Sequence, residues 1–104
     1  MPTYVITNRY PNGYTGSPED MAAWNTWFDQ LGDNLRDRGN PAFRRSTLGD
    51  CGPNTSLGGY SLIAADDLDQ AVALAKGCPA LQKAGGVEVG ELTPLNDGLV
   101  QRAG

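Results

Sequence analysis

The chain reads as an α+β domain with the element order β-α-β-β-α-β. Three observations predict this order. A β-branched and aromatic run opens the chain at Thr3–Asn8. Two stretches of helical periodicity follow, each introduced by a short polar residue that can cap a helix, Ser17 and Asp66. The stretch Gly58–Val89 alone reads as strand, helix and strand with clean punctuation, and the whole fits one domain of 104 residues.

In the first run, Tyr4 and Ile6 fall on one face and Thr3, Val5 and Thr7 on the other, so one side of the strand is apolar. Arg9–Gly16 holds two glycines, a proline and an Asn-Gly pair and reads as a loop. Ser17-Pro18-Glu19-Asp20 then starts a helix. Ser17 caps, Pro18 suits the first helical position, and the two acids favour the positive end of the dipole. Asp20, three residues after Ser17, makes an imperfect capping box. Met21, Trp24, Phe28, Leu31 and Leu35 recur at steps of three and four, with Trp27 beside them, which predicts one buried stripe. The helix is expected to end between Leu31 and Leu35. Gly32 near that end either weakens the last turn or allows close packing.

Arg38–Ala42 breaks the chain with Gly-Asn-Pro, and Phe43–Leu48 is expected as the second strand. The turn-rich Gly49–Ser56 leads to a third strand over Leu57–Ala65, with Tyr60 and Leu62 as its apolar face. Asp66 is expected to cap the second helix, with Asp67 and Asp69 in its first turn and Leu68, Ala71, Val72 and Ala75 as a narrow stripe. Gly77 suits a left-handed end to that helix and Pro79 prevents its continuation. Val87-Glu88-Val89 is the fourth strand. Residues 1–91 form the domain, and 92–104 are a tail whose Leu92, Leu95, Leu99 and Val100 either stay loose or dock on a neighbour. This order is a ferredoxin-like arrangement, with both helices on one face of a four-stranded antiparallel sheet. A second copy meeting the sheet's other face is the simplest cover for it, giving a homodimer.

Composition restricts the function. A net charge of −4 and a pI near 4.5 disfavour a phosphate backbone as partner, because Asp33, Asp37 and Asp50 flank the arginines at 36, 38, 44 and 45. No apolar run approaches a membrane span, and the first residues carry no export pattern. Cys51 and Cys78 are therefore expected as reduced thiols in the cytoplasm. The absence of histidine removes Ser-His and Cys-His dyads and the commonest metal ligand. No cofactor and no metal are expected.

The candidate ligand-binding residues are Tyr10, Tyr14, Trp24, Arg44 and Tyr60. Trp24 and Tyr60 suit a core or an interface, each with its polar tip hydrogen-bonded, better than a pocket. Tyr10 and Tyr14, in a loop, suit a pocket rim or a dimer contact. Arg44 and Arg45 alternate across the expected second strand, so one can reach a cavity and bind an anion, while both can protect a sheet edge. Glu88 is a possible partner for such an arginine. Capping explains Asp66, Asp67 and Asp69, which leaves Asp50 as the one candidate acid/base. Cys51 lacks a base or helix N-terminus to activate it, and the Gly58-Gly59 and Gly85-Gly86 pairs read as turns that introduce strands.

The passage GGYSLIAADDLDQAVALAKGCP followed by GGVEV, with SPEDMAAW in the first helix, resembles the YCII-related proteins, the group that includes the DGPF-domain proteins. The resemblance spans roughly 2–91 and implies a dimeric α+β barrel with a cavity between sheet and helices in each subunit. Two features of that family are missing. The DGPF loop is replaced by GDCGPNTS, which keeps only Gly52-Pro53. The His–Asp pair of its proposed enzymes has no histidine here, where the corresponding region offers Glu19, Asp20 and Met21. No catalytic residue carries over. Three functions fit: a dimer binding a small aromatic or acidic molecule, a cofactor-free enzyme of lyase, isomerase, dehalogenase or monooxygenase type, and a regulatory dimer acting on a protein.

Overall fold

The structure, a computed structural model, describes residues 1–95. Strand β1 (Thr3–Pro11) is followed by helix α1 (Pro18–Leu31), a short strand β2 (Leu35–Asp37), strand β3 (Thr55–Ala64), helix α2 (Leu68–Ala75) and strand β4 (Gly86–Leu92). The sheet order is β2-β3-β1-β4 with every pair antiparallel, which is the α+β ferredoxin-like arrangement expected. Tyr4 and Ile6 on β1, Trp27 and Leu31 on α1, Ile63 on β3 and Ala71 on α2 share one core, so both helices cover the same sheet face. Trp27 ties the helices together by donating its indole N–H to the Leu74 carbonyl at 3.1 Å.

Helix α1 starts as expected, and its capping box is complete. The Ser17 hydroxyl accepts the Asp20 N–H at 3.2 Å, and the Asp20 carboxylate accepts the Ser17 N–H at 3.0 Å. The helix ends at Leu31, and Gly32 follows at φ 54°, a left-handed position that favours glycine, with no neighbour within 4 Å of where its Cβ would be. Its apolar stripe is divided. Trp27 and Leu31 are buried in the core, Trp24 and Phe28 are half-buried, and Met21 is exposed.

Several local expectations are corrected. The second strand is Leu35–Asp37, not Phe43–Leu48. Arg44 has φ 55°, which no extended run tolerates, and Phe43 is 76% exposed, so that segment has neither the backbone nor the burial of a strand. Instead 38–54 passes along the free edge of β3, touching it through the Pro41–Gly59 bridge and the Ala42 N–H on the Gly58 carbonyl. The core face of β3 carries Gly59, Ser61 and Ile63, while Tyr60 and Leu62 lie on the other face. Gly58 and Gly59 sit inside β3, at the register shift opposite Asn8 and Arg9, and introduce nothing. The cap of α2 is Asp67, whose carboxylate accepts the Gln70 N–H at 2.8 Å, while Gln70 reaches back to the Asp66 N–H. Gly77 is not left-handed; it makes room for Trp27, because a Cβ there would lie 2.8 Å from the indole Cδ1. Glu88 forms no ion pair with an arginine among the described residues, where the single pair is Lys83 with Asp20. Leu95 is exposed, and Leu99 and Val100 lie outside the described residues.

Candidate functional site

An open cleft of about 1100 Å³ lies between the far end of the sheet's core face, helix α1 and the 38–45 segment. Its position follows from the divided stripe of α1. Trp24 and Phe28 pack against the edge of the core and stay half-buried, and both border the cleft together with the 38–45 segment. That crossing is held close by glycine. A Cβ on Gly39, at φ 75°, would lie 1.7 Å from the Tyr60 carbonyl oxygen.

One wall is aromatic. The rings of Tyr10 and Tyr14 stack at 4.0 Å with an interplanar angle of 6°. Trp24 donates its indole N–H to the Tyr10 hydroxyl at 3.0 Å, and Phe28 lies beside it with ring centroids 5.7 Å apart. Burial pushes the Tyr10 and Tyr14 phenols above their usual range, and for Tyr14 the Asp20 carboxylate adds to the effect. Both stay protonated at neutral pH. The Tyr14 hydroxyl donates to Asp20 at 2.6 Å, and Lys83 lies 3.3 Å from the same carboxylate. The hydrogen bond from Tyr14, followed by Lys83 and Ser17, outweighs desolvation and holds the Asp20 carboxyl below the usual range.

The deep end is polar. Asn8, on the same face of β1 as Tyr4 and Ile6, is 5% exposed, borders the cleft, and has no hydrogen bond to its side chain among the described residues. Gly58 makes room for its amide, since a Cβ there would sit 2.2 Å from Asn8 Oδ1. At the mouth, the Arg38 guanidinium lies 4.6 Å over the Phe28 ring and Arg45 donates to the Ala42 carbonyl at 2.6 Å.

Of the residues singled out in the sequence, Tyr10, Tyr14, Trp24 and Tyr60 border this cleft. Tyr10 does so from β1, which runs to Pro11, and not from a loop. Tyr60 borders it from β3, 37% exposed, with its hydroxyl accepting from the Asn40 amide. Arg44 is not on the lining; its neighbour Arg45 is. Asp50 is exposed, also off the lining, and accepts the Gly52 N–H at 3.4 Å as a turn residue. Sequence reasoning missed Asn8, Phe28 and Arg38, and counted Asp20 only as a cap. The available signal was Asn8 itself, a polar residue continuing the Tyr4–Ile6 alternation where an apolar one is expected. Among the described residues no three Cys, Asp or Glu side chains converge as a metal set, and no helix is long and apolar enough to cross a membrane.

A ferredoxin-like sheet with an aromatic cleft beneath it defines a small α+β protein with a preformed cavity. The model of the YCII-related domain matches residues 3–96, and the chain belongs to that family. Among solved structures it is similar to 5-chloro-2-hydroxyhydroquinone dehydrochlorinase from Burkholderia phenoliruptrix AC1100, in complex with 2,5-dihydroxybenzoquinone. The TM-score is 0.61 at 15% identity, over 88% of this chain and 93% of that one. At that identity the likeness concerns the fold. No curated protein matches the chain.

Proposed function

We propose that this YCII-related protein binds a small aromatic or acidic molecule in the cleft between sheet and α1. The observation that carries the proposal is the combination of an aromatic wall, Tyr10, Tyr14, Trp24 and Phe28, with the Asn8 side-chain amide, which makes no protein hydrogen bond among the described residues and opens to the cleft. Apolar walls with a few convergent polar groups are what small-molecule sites are made of. The phenols of the wall hold each other and Asp20 in place, so the cleft is organised before any ligand enters. An open cleft also speaks against a purely regulatory dimer, which a cavity filled by its own side chains would suit better.

A second reading is a cofactor-free enzyme working in the same cleft. It is favoured by the Tyr14–Asp20 pair on the wall, backed by Lys83 off the lining, a carboxylate kept ionised beside a phenol kept protonated. The dehydrochlorinase of similar fold, captured with a dihydroxybenzoquinone, gives that reading its precedent. The proposal further includes a cytoplasmic homodimer formed through the outer sheet face around Val5, Tyr60 and Leu62. Sedimentation at micromolar concentration then gives twice the monomer mass, and a clean monomer removes that part.

A thermal-shift screen of aromatic acids, phenols and lactones tests the binding itself. A ligand at a hundredfold its Kd stabilises by about 2.7 kcal/mol, which moves the Tm of a domain this size by on the order of 10 °C. At least one such compound is expected to do so in the wild type and not in Trp24→Ala. A screen in which none raises the Tm overturns the proposal.

A further inference from the structure

The charges around the cleft are unequal in availability. Asp20 is the one carboxylate on the lining, and it is fully occupied. One oxygen accepts the Tyr14 hydroxyl and the Ser17 N–H, and the other faces Lys83. Arg38 and Arg45 also border the cleft, and neither has a carboxylate within ion-pair distance among the described residues. Each uses part of its fork, Arg38 on the Asn25 side-chain oxygen and Arg45 on the Ala42 carbonyl, and keeps donors to spare. A chain of net charge −4 thus presents two uncompensated guanidinium groups on the lining of this largely apolar cleft.

The Asn8 amide supplies the second, independent observation. It is 5% exposed and unengaged at the opposite, buried end. No buried side-chain polar atom lacks a partner among the described residues, so the amide atoms of Asn8 are reached from the cleft, where a ligand group can hydrogen-bond them in place of water. Resting on the binding function proposed above, we infer that the ligand is an aromatic carboxylate bearing a hydroxyl or keto group away from the carboxylate. Its ring lies against Trp24 and Phe28, its carboxylate meets Arg38 and Arg45, and its polar substituent meets Asn8. Planar, bidentate recognition of carboxylate is what guanidinium groups do best. The same cleft takes neutral aromatics less well, because they leave both guanidinium groups unpaired.

Calorimetric titration of the full chain with three matched probes tests this. The probes are 6-hydroxy-2-naphthoate, its neutral carboxamide, and 2-naphthoate, which lacks the hydroxyl. The hydroxynaphthoate is expected to bind at least tenfold tighter than the carboxamide, with a preference that shrinks as salt rises. Arg45→Gln, at an exposed position, should reduce that preference at least threefold, and Arg38→Gln/Arg45→Gln should abolish it. Asn8→Leu should remove the advantage of hydroxynaphthoate over naphthoate while leaving the charge preference in place. Melting curves of each variant guard against unfolding, and Arg45→Gln alone decides the charge claim if the others fail to fold. A carboxamide that binds as tightly as the carboxylate overturns the ligand class and leaves the binding function standing. Probes that all fail to bind the folded wild type overturn both.

Discussion

The Tyr14 hydroxyl donates to the Asp20 carboxylate at 2.6 Å, and that carboxylate also completes the capping box of α1. One side chain therefore joins the start of the helix to the aromatic wall of the cleft. Asp20 is held below the usual carboxylate range by Tyr14 first, then by Lys83 and Ser17. A carboxyl depressed on folding contributes stability that is present above its unfolded value, near about 3.9, and lost as pH falls through the folded value. Resistance of the wild type to denaturant is expected to weaken as pH falls from about 5 to about 2. Asp20→Asn should flatten that acid limb. Profiles that run parallel would remove Asp20 from the account of acid sensitivity.

The contact between Gly77 and Trp27 leads to a packing prediction. A Cβ at position 77 would approach Trp27 Cδ1 to 2.8 Å and Nε1 to 3.0 Å, against an indole buried in the core. The backbone at Gly77 is not left-handed, so the cost of Gly77→Ala comes from crowding. It should destabilise by about 1–3 kcal/mol. In a Trp27→Leu background most of that cost should disappear, which a double-mutant cycle in urea would measure. An equal cost in both backgrounds points to the backbone and away from the indole.

The two thiols should differ sharply in reactivity. Cys78 is buried, and desolvation pushes its pKa up to about 11, whereas Cys51 is exposed. A chromogenic disulfide reagent at pH 8 is expected to titrate Cys51 alone in the native chain and both after denaturation. Rapid native labelling of Cys78 would mean that the β1–α2 core opens far more easily than its packing implies.

Asn8→Leu separates the stability of the site from its function. The substitution replaces an amide that opens to the cleft and makes no protein hydrogen bond among the described residues by an apolar side chain of similar size. Stability should change by less than about 1 kcal/mol, while binding of any hydroxylated ligand weakens. Urea denaturation checks the first half and calorimetry the second. A large loss of stability would mean that the amide has a structural partner.

Legibility in the sequence followed the source of each constraint. Tyr4, Ile6 and the Ser17 cap obey local periodicity and capping chemistry and stand where their spacing predicts; α2 forms where expected, but its cap moves one residue to Asp67, and of its stripe only Ala71 and Ala75 are buried while Leu68 and Val72 are exposed. Strand β2 was hidden because Leu35-Arg36-Asp37 is three residues at a sheet edge, with no alternation to read. Phe43–Leu48 alternates convincingly but contains Arg44 at positive φ. The core face of β3 was reversed because Tyr60 and Leu62 look more apolar than Gly59 and Ser61. Packing prefers small residues there, where the Asn40–Pro41 backbone and the Arg38 carbonyl come close.

The cleft was half legible for the same reason. Tyr10, Tyr14, Trp24 and Tyr60 stood out as aromatic residues with polar tips, and all four border it. Arg38 and Arg45 gain their position from the path of 38–54 along β3, which is set by backbone contacts such as Gly39 against Tyr60. No periodicity records those contacts. The division of the α1 stripe, with Trp27 and Leu31 in the core and Trp24 and Phe28 on the cleft, is likewise a matter of packing that spacing alone does not record.

The most direct test of the cleft as a binding site is an amide and indole NMR titration of the full chain with 6-hydroxy-2-naphthoate. Trp24 borders the cleft, whereas Trp27 is buried and hydrogen-bonded to Leu74, so the two indole N–H signals report on different places. The Trp24 indole and the Asn8 side-chain amide are expected to shift most, with Val5 and Leu62 on the outer sheet face unmoved. Shifts confined to Val5 and Leu62, or a spectrum that does not change, would contradict the cleft as the site.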